Sequence, residues 1–519
     1  MLLIPLVIAG SPPEDDRLVR VCNRLIAESL EPQRPETVVV VLETTPGCDL
    51  DGLVEDCVAL GVDVQVEARG LVQVETAWED LDALANLPGV ARVREPILAS
   101  PKEVVSEGKD YMFTQDWHEQ GIDGSGVEVA ILDVGFSGWE DLVGTELPAD
   151  TIDHGRGGVD DDAVTGSSDH GTAVAEVIHD IAPGARLHLW QFRTDVEYFA
   201  ALDDVLDLGT IDVINASIGF DNVWHANGES PYAQAVDQVV DAGTVYVAAV
   251  GNETGKYRIG TLTDTDGDGW AEIDGEDSVQ VTNAFAGTPV SLRWSEPFGG
   301  ASTDLDLVLF DDDGDECAVG DEVQDGDDDP VESAECVESG AWVHAWIRID
   351  SGSVDGLTAY VYSPFGVTFG SEASTLTLPA DAAGAISVGA YDGRSGELLE
   401  YSSRGPTDDG RIKPDFVAPS GVSTNAYTVP FEGTSAAAPH VAGVAALILD
   451  RKNRRAGPDE VYEVLVEGAI DMGDPGQDNT WGHGVVQTDA LPARCGCATG
   501  SLAGAGWVLA VLVVARRRC

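Results

Sequence analysis

The segment VEVAILDVG, residues 127–135, sets the fold class of this 519-residue chain. From Val127 to Leu132 the residues are apolar except for one glutamate, which is typical of a strand buried on both faces of a parallel sheet. The run ends in Asp133, and Gly135 follows. In open α/β folds, ligands and active sites gather at the carboxyl edge of the sheet. The segment therefore predicts an α/β sheet with Asp133 as a candidate site residue.

Buried strands alternate with helices around this segment, as expected for a mainly parallel sheet with flanking helices. The other predicted strands are 186–190, 213–216 and 244–249, and the predicted helices are 171–180, 196–208 and 232–242. The alternation stops after Asn252 and resumes at AISV, residues 385–388. The core is therefore predicted in two parts, 109–255 and 375–494.

Two further motifs carry residues suited to nucleophilic catalysis. HGT, residues 170–172, opens a helix with His170. GTSAAAPHVAG, residues 433–443, places Ser435 before an alanine-rich apolar helix, with Pro439 expected in the first turn. Alone, such a serine is most often a helix N-cap and such a histidine is structural. Small residues around Ser435 leave its hydroxyl open to a base and a substrate.

The order Asp133, His170, Ser435, with these local motifs, resembles the subtilisin-like serine proteases. The resemblance extends over about residues 112–255 and 374–490. Further segments that resemble the family are NASIG (215–219), VGN (250–252), YSSRGP (401–406) and KPDFVAP (413–419). One departure is Val134, where the family usually has a small polar residue.

The resemblance implies a serine endopeptidase that needs no cofactor for its chemistry and acts on polypeptides. It assigns the catalytic triad to Asp133, His170 and Ser435, and the oxyanion-stabilising amide to Asn252. It assigns pairing with an extended substrate to Ser217, Ile218 and Gly219.

Residues 20–108 show the order β-α-β-β-α-β, which predicts a small ferredoxin-like domain. The predicted elements are strands 37–42, 62–68, 71–76 and 90–93, with helices 50–60 and 78–87. Its position before the core resembles that of a subtilisin-like pro-domain, which assists folding and then occupies the active site. A permanent accessory domain is the alternative. Residues 1–19 are predicted to be a signal peptide and linker.

Residues 256–374 are rich in aspartate and glycine and carry short alternating strands, which predicts an inserted β-sandwich. LRW (292–294) and TDLDL (303–307) resemble the pre-peptidase C-terminal type of β-domain. Asp264, Asp266 and Asp268 have the spacing of a calcium loop, with Glu272, Asp274 or Glu276 as candidates for the closing ligand. A solvated acidic loop is the alternative.

The charge excludes some partners. Lysine and arginine total 28 against 92 aspartate and glutamate residues, giving a formal net charge of −64. A surface this acidic repels nucleic acid and anionic lipid. It fits a secreted protein, a calcium-binding protein or a protein adapted to high salt.

The eight cysteines include two close pairs, Cys48 with Cys57 and Cys317 with Cys336. Both are predicted as short disulfide loops, which requires an oxidising compartment, with separate thiols as the alternative. At the C-terminus, residues 495–519 hold a CGC motif, an apolar stretch and terminal arginines. This resembles the surface-sorting tags of myxobacteria and relatives and implies a secreted protein attached to the cell surface. The protein is expected to be a monomer. A plain tail anchor is the alternative.

Two other functions are compatible with parts of this pattern. One is a catalytically inactive cell-surface binding protein on the same scaffold; the complete set of Asp133, His170, Ser435 and Asn252 argues against it. The other is an α/β esterase, but esterases place the serine first in the chain within a G-x-S-x-G turn. Ser435 is the last of the three residues.

Overall fold

The computed structural model describes residues 37–97, 100–101, 107–157, 168–282, 287–336 and 342–488. The predicted signal segment 1–19 and the C-terminal tag 495–519 lie outside these ranges. Within them, no helix is both long enough and apolar enough to cross a membrane. The described residues form an N-terminal domain, an α/β core and a β-domain inserted into the core.

The N-terminal domain is a four-stranded antiparallel sheet in the order β2-β3-β1-β4. Its elements are β1 (Thr37–Thr44), α1 (Leu50–Ala59), β2 (Asp63–Ala68), β3 (Leu71–Ala77), a 3₁₀ turn (Trp78–Asp80), α2 (Leu81–Ala85) and β4 (Val90–Arg94). The second predicted helix is thus split into a 3₁₀ turn and a short α-helix. The two-residue strand β5 (Ser100–Pro101) follows this domain.

The core is built on a nine-stranded sheet whose strands are parallel except for one short pair at its edge. Its first part comprises α3 (Gln115–Glu119), β6 (Glu128–Asp133), β7 (Ile152–Arg156), α4 (His170–Ile181), β8 (Arg186–Gln191), α5 (Asp195–Leu208), β9 (Val213–Ala216), β10 (Ile218–Gly219), α6 (Pro231–Asp241) and β11 (Val245–Ala249). All of these belong to the sheet or its flanking helices except β10, which pairs with β5.

The inserted β-domain contains nine described strands: eight lie in one continuous pairing path, and the ninth, β14, pairs with β19 beside it. They are β12 (Tyr257–Thr263), β13 (Trp270–Ile273), β14 (Val279–Thr282), β15 (Thr288–Trp294), β16 (Asp304–Phe310), β17 (Glu316–Gly320), β18 (Val331–Cys336), β19 (Trp342–Ser351) and β20 (Thr358–Tyr362). Strands β17, β16, β19 and β13 form one half of this path, and β12, β20, β15 and β18 form the other. The β12–β13 hairpin joins the two halves. Leu292 from one half and Leu307 from the other share a single hydrophobic core.

The chain then returns to the core sheet. The second part comprises β21 (Ala385–Asp392), β22 (Phe416–Ser420), α7 (Thr434–Arg451), α8 (Pro458–Gly468), β23 (Ala469–Ile470) and β24 (Val485–Val486). The strand order is β23-β24-β22-β21-β11-β9-β6-β8-β7. The central strand β6 shows how this sheet is covered: Val129 and Ile131 pack in the core shared with α4 and α7. Ala130 and Leu132 pack on the opposite face, with α5 and α6. Alternation along a strand directs successive side chains to opposite faces, so β6 is buried on both.

One of the two predicted disulfides is present. Cys317 and Cys336 are joined and connect β17 to β18. Cys48 and Cys57 are free thiols, so that prediction was wrong. Cys57 is fully buried on α1, whereas the Cys48 sulfur lies against the turn at Gly89. The two side chains fill different parts of the domain core, and burial raises the pKa of Cys57 to about 11.

Candidate active site

Asp133 and His170 form a buried hydrogen-bonded pair. Asp133 is the last residue of β6 and His170 the first of α4, with exposed fractions of 0% and 1%. His170 Nδ1 lies 2.8 Å from both Oδ1 and Oδ2 of Asp133. Since a carboxylate can only accept, Nδ1 carries the proton and Nε2 is left as the basic nitrogen.

Gly171 explains how helix α4 approaches the end of β6 so closely. Its N–H donates to the Gly135 carbonyl at 2.9 Å. A Cβ atom at Gly171 would lie 2.7 Å from that oxygen and 2.8 Å from Asp133 Cβ. A side chain at position 171 would therefore separate His170 from its carboxylate.

Ser435 is the second residue of α7 and is fully buried. The helix N-cap is Gly433, whose φ of 127° suits glycine, and no side chain caps the helix. The Ser435 hydroxyl donates instead to the Ser217 carbonyl at 3.0 Å. The interpretation of Ser435 as a structural N-cap is therefore wrong.

Pro439 lies one turn further into α7 than the sequence predicts. It is the sixth helical residue and has no N–H. The Ser435 carbonyl, four residues earlier, therefore lacks its usual backbone donor in the helix. The Ser217 hydroxyl takes that place and donates to the Ser435 carbonyl at 2.9 Å. Asn215 Nδ2 in turn donates to the Ser217 hydroxyl at 2.9 Å. Ser217 and Ser435 are thus joined by two reciprocal hydrogen bonds.

The beginnings of α4 and α7 face each other. The His170 ring meets the Phe431 ring edge-on, with centroids 5.5 Å apart, and Phe431 lies four residues before Ser435. The histidine of α7, His440, is 1% exposed and bonds the Ala436 carbonyl through Nδ1 at 2.6 Å. Burial lowers the pKa of His440 to about 4, so this histidine stays neutral and serves packing.

Asn252 follows β11 and is held by the residue before Ser435. Its Oδ1 accepts from the Thr434 N–H at 2.9 Å and from the Thr434 hydroxyl at 3.0 Å. The same hydroxyl accepts from the Gly251 N–H at 3.1 Å, which fixes the direction of its own proton. With Oδ1 engaged twice, Nδ2 faces away from Thr434 and is the available donor. Asn252 is half-buried, whereas Asp133, His170 and Ser435 are buried.

The segment Ser217–Gly219 is an edge that already holds an extended peptide. Ile218 and Gly219 pair antiparallel with Pro101 and Ser100. A Cβ at Gly219 would lie 2.0 Å from the Thr377 hydroxyl, so only glycine allows this close packing. The structure thus gathers Asp133, His170, Asn252, Ser217 and Ser435 around the carboxyl ends of β6, β9 and β11.

The three aspartates of the acidic loop lie elsewhere, on the β12–β13 hairpin. The carboxylate oxygens of Asp264, Asp266 and Asp268 lie within 4.8 Å of one another. Each also caps a turn, since Asp264 accepts from Gly267 at 2.9 Å and Asp268 from Trp270 at 2.9 Å. The candidate closing ligands are engaged: Glu272 with Thr265, and Asp274 with Thr261.

Three residues beside the site, namely Glu253, Tyr362 and Asp221, were missed in the sequence. Glu253 is 0% exposed, and its carboxylate accepts from the Asn252 backbone N–H at 3.2 Å. Tyr362 of the inserted domain donates to Glu253 at 3.0 Å, and its hydroxyl lies 3.1 Å from Asp221. Adjacency to Asn252 was the available signal for Glu253, whereas Tyr362 is more than a hundred residues away in sequence.

Comparison with known proteins places the chain in a family. The model of the Subtilase family matches residues 124–281 and 363–484, on both sides of most of the inserted domain. An uncharacterized protein of Aquifex aeolicus is 35% identical over 153 residues, which are 24% of this chain and 66% of that protein. Serine protease AprX of Bacillus subtilis is 34% identical over 145 residues, covering 23% of this chain and 32% of AprX.

Two further proteins are similar to the chain. Pyrolysin of Pyrococcus furiosus is 40% identical over 104 residues, 17% of this chain and 7% of pyrolysin. The chain thus spans less than two thirds of the length of each of these curated relatives. The CspB protease of Clostridium perfringens shares the fold, with a TM-score of 0.53 at 16% identity over 74% of this chain and 97% of that one. Since the family model covers more than half of the residues, in segments that contain Asp133, His170, Asn252 and Ser435, the chain belongs to the Subtilase family.

Proposed function

We propose that this protein is a serine endopeptidase in which Asp133, His170 and Ser435 form the catalytic triad. The observation that carries the proposal is the buried pair in which His170 Nδ1 contacts both carboxylate oxygens of Asp133 at 2.8 Å. This pair leaves the opposite ring nitrogen as a base at the site where α4 meets the start of α7. Two relatives are named serine protease AprX and bacillopeptidase F, which supports the same chemistry here.

In the proposed reaction, the Ser435 hydroxyl leaves the Ser217 carbonyl and donates instead to His170 Nε2. His170 accepts the hydroxyl proton while Oγ attacks the peptide carbonyl carbon. Asp133 keeps the imidazole oriented and stabilises its protonated form. His170 then gives the proton to the leaving amine, and a water molecule, activated in the same way, hydrolyses the acyl-enzyme.

Two donors would stabilise the oxyanion. One is Asn252 Nδ2, whose orientation is fixed by the two hydrogen bonds from Thr434. The other is the backbone N–H of Ser435, since N–H groups in the first turn of a helix have no carbonyl partner within it. Loss of one such donor typically costs about 100- to 1,000-fold in kcat.

The first substrate would be the chain itself. The antiparallel pairing of Ser100–Pro101 with Ile218–Gly219 shows how an extended peptide lies along this edge. It supports the interpretation of the N-terminal domain as a pro-domain that is cleaved beyond Pro101 and stays bound as an inhibitor. Other polypeptides would pair with Ser217, Ile218 and Gly219 in the same way.

Localisation and calcium are further parts of the proposal. The Cys317–Cys336 disulfide supports secretion, because such bonds persist in oxidising compartments. We propose attachment to the cell surface through residues 495–519 and a monomeric state, to be tested by cell fractionation and gel filtration. Asp264, Asp266 and Asp268 would hold a structural calcium ion outside the catalytic chemistry. A calcium-dependent rise in the unfolding temperature that Asp266→Asn abolishes would support this site, and equal unfolding temperatures with calcium and with chelator would refute it.

The peptidase proposal is tested by measuring the intact mass and N-terminal sequence of the wild-type protein and of the Ser435→Ala variant. We expect the wild type to acquire a new N-terminus beyond Pro101 and Ser435→Ala to keep its first domain, with kcat on peptides lower by about a millionfold. Ser395→Ala, on an exposed turn, is the matched control and should process like wild type. If the wild type remains whole and cleaves no unfolded protein, the peptidase proposal fails and the inactive binding protein takes its place.

A further inference from the structure

The substrate edge and the oxyanion loop both continue into residues held by the inserted β-domain. The first wall of the cleft, Ser217–Gly219, leads into Asp221 and Asn222. The second wall, which ends in Asn252, leads into Glu253 and then directly into β12. The inserted domain therefore starts at one wall of the cleft and folds back against the other.

On the oxyanion side, the contact runs through a buried carboxylate. One oxygen of Glu253 accepts from the Asn252 N–H at 3.2 Å, and the other accepts from the Tyr362 hydroxyl at 3.0 Å. The Glu253 N–H donates to the Ser403 hydroxyl at 2.9 Å, and Lys256 lies 3.3 Å from its carboxylate. Glu253 is 0% exposed, so loss of one of these partners cannot be replaced freely by water.

On the substrate side, the same tyrosine reaches the other wall. The Tyr362 hydroxyl lies 3.1 Å from Asp221, two residues beyond Gly219. The next residue, Asn222, has a left-handed φ of 56°. Its amide nitrogen lies 2.9 Å from the Ser291 hydroxyl and 3.1 Å from the Tyr360 carbonyl, both in the inserted domain.

We propose that the inserted β-domain positions the two walls of the cleft relative to each other, with Tyr362 as the positioning residue for Asn252. This role rests on the proposed peptidase function. The Tyr362 hydroxyl is placed between Glu253 and Asp221, and burial raises the pKa of Tyr362, so the hydroxyl keeps its proton and remains a donor. Asn252 is thereby held from two directions: its side chain by Thr434 and its backbone by Glu253.

The consequence is a specific kinetic effect. Substrate pairing depends on Ser217–Gly219, which is also fixed by backbone hydrogen bonds between Phe220 and Leu378 at 3.0 and 3.2 Å. Removal of the Tyr362 hydroxyl should therefore leave substrate binding intact and misplace the Asn252 amide, which acts only on the oxyanion.

The test uses the full chain with the variants Tyr362→Phe, Asn252→Ala and their combination, assayed on a peptide p-nitroanilide. We expect Tyr362→Phe to lower kcat by about tenfold with KM within about twofold of wild type, a pattern typical of a transition-state interaction. In the Asn252→Ala background the same change should have less than about a twofold effect, because the group it positions is gone. Tyr360→Phe on the same strand, whose hydroxyl donates to Asp408 at 3.0 Å, is the control and should keep wild-type kcat.

Glu253→Gln is a second test, since a glutamine offers one acceptor where Glu253 serves two donors. It should also lower kcat at constant KM, and thermal unfolding of each variant shows that it is folded. Unchanged kcat in Tyr362→Phe, or an equal loss with and without Asn252, would overturn the positioning role while leaving the peptidase proposal standing. An inactive wild type would overturn both.

Discussion

The N-terminal domain and the inserted β-domain contact the same α/β core in different ways. The N-terminal domain packs Val66 and Ala68 into the apolar cluster around α5 and pairs Arg69 with Asp203 and Arg94 with Asp195. It precedes the core in sequence, so a single chain connection joins the two. The inserted domain is joined to the core at both ends. It contacts the core through buried groups: Arg293, 3% exposed, lies over the Tyr360 ring at 3.8 Å and pairs with Asp408 at 3.1 Å.

The difference corresponds to the proposed fates of the two domains. One cleavage severs the single chain connection of the N-terminal domain, whose partly exposed Arg69–Asp203 ion pair weakens with salt. The inserted domain keeps two chain connections, and a buried arginine with stacking and hydrogen-bonded partners is costly to disrupt.

The largest effect should come from Arg293→Ala, which leaves Asp408 and His225 without their central partner. We expect a loss of about 3 to 5 kcal/mol in the free energy of unfolding, because a buried charge loses its counterion. Chemical denaturation in the Ser435→Ala background, which prevents self-digestion, measures it. Arg258→Ala, which breaks the more exposed Arg258–Asp274 pair, is the control and should cost less than about 1 kcal/mol. Equal losses in the two variants would show that the buried Arg293 contact contributes no more to stability than an exposed ion pair.

A smaller effect is expected for Arg94→Gln. Arg94 pairs with Glu43 of its own domain and with Asp195 at the start of α5, which is 1% exposed. Its loss should weaken docking of the cleaved N-terminal domain by about 2 kcal/mol, roughly 30-fold. The fraction of the fragment that co-elutes with the processed protein in gel filtration measures this, with Arg258→Gln as control. Co-elution equal to wild type would show that the arginines are not what retains the domain.

The smallest effect concerns Arg92, which joins the N-terminal domain to the inserted domain. Arg92 lies 2.6 Å from Glu322 and 3.5 Å from Asp329, beside a cavity of about 880 Å³ between the domains. Because all three side chains are 27–29% exposed, Arg92→Gln should weaken docking by less than about 1 kcal/mol. Raising sodium chloride from 0.1 to 1 M, about a threefold shorter screening length, should reduce the difference between variant and wild type in the same elution assay. A difference that persists at high salt would indicate packing instead of charge.

The sequence predicted those elements whose patterns are local. Strands 213–216 (VINA) and 186–190 (RLHLW) are mostly apolar, and the structure has β9 at Val213–Ala216 and β8 at Arg186–Gln191. Strand β7, Ile152–Arg156, was missed because an edge strand with the sequence IDHGR has no apolar periodicity. Pairing in the inserted domain links residues distant in sequence, so its strand order could not be derived.

The candidate site shows the same limit. Motifs around Asp133, His170 and Ser435 are short and contiguous, so resemblance could identify them. The buried contact between Glu253 and Tyr362 arises from tertiary packing, and an isolated glutamate and tyrosine give no sign of it. Spacing also misled, since the eight residues between Cys48 and Cys57 suit a disulfide loop, but helix α1 directs Cys57 into the domain core.

The Ser435 carbonyl lacks its usual helical donor because Pro439 has no N–H, and this has a mechanical consequence. Because Ser217 donates to this carbonyl and its own carbonyl accepts from the Ser435 hydroxyl, the proposed substrate edge and the proposed nucleophile are joined directly. In the proposed reaction the Ser435 hydroxyl leaves the Ser217 carbonyl, but the bond from the Ser217 hydroxyl to the Ser435 carbonyl remains. A small shift of the substrate edge would therefore be shared by the backbone that carries the nucleophile.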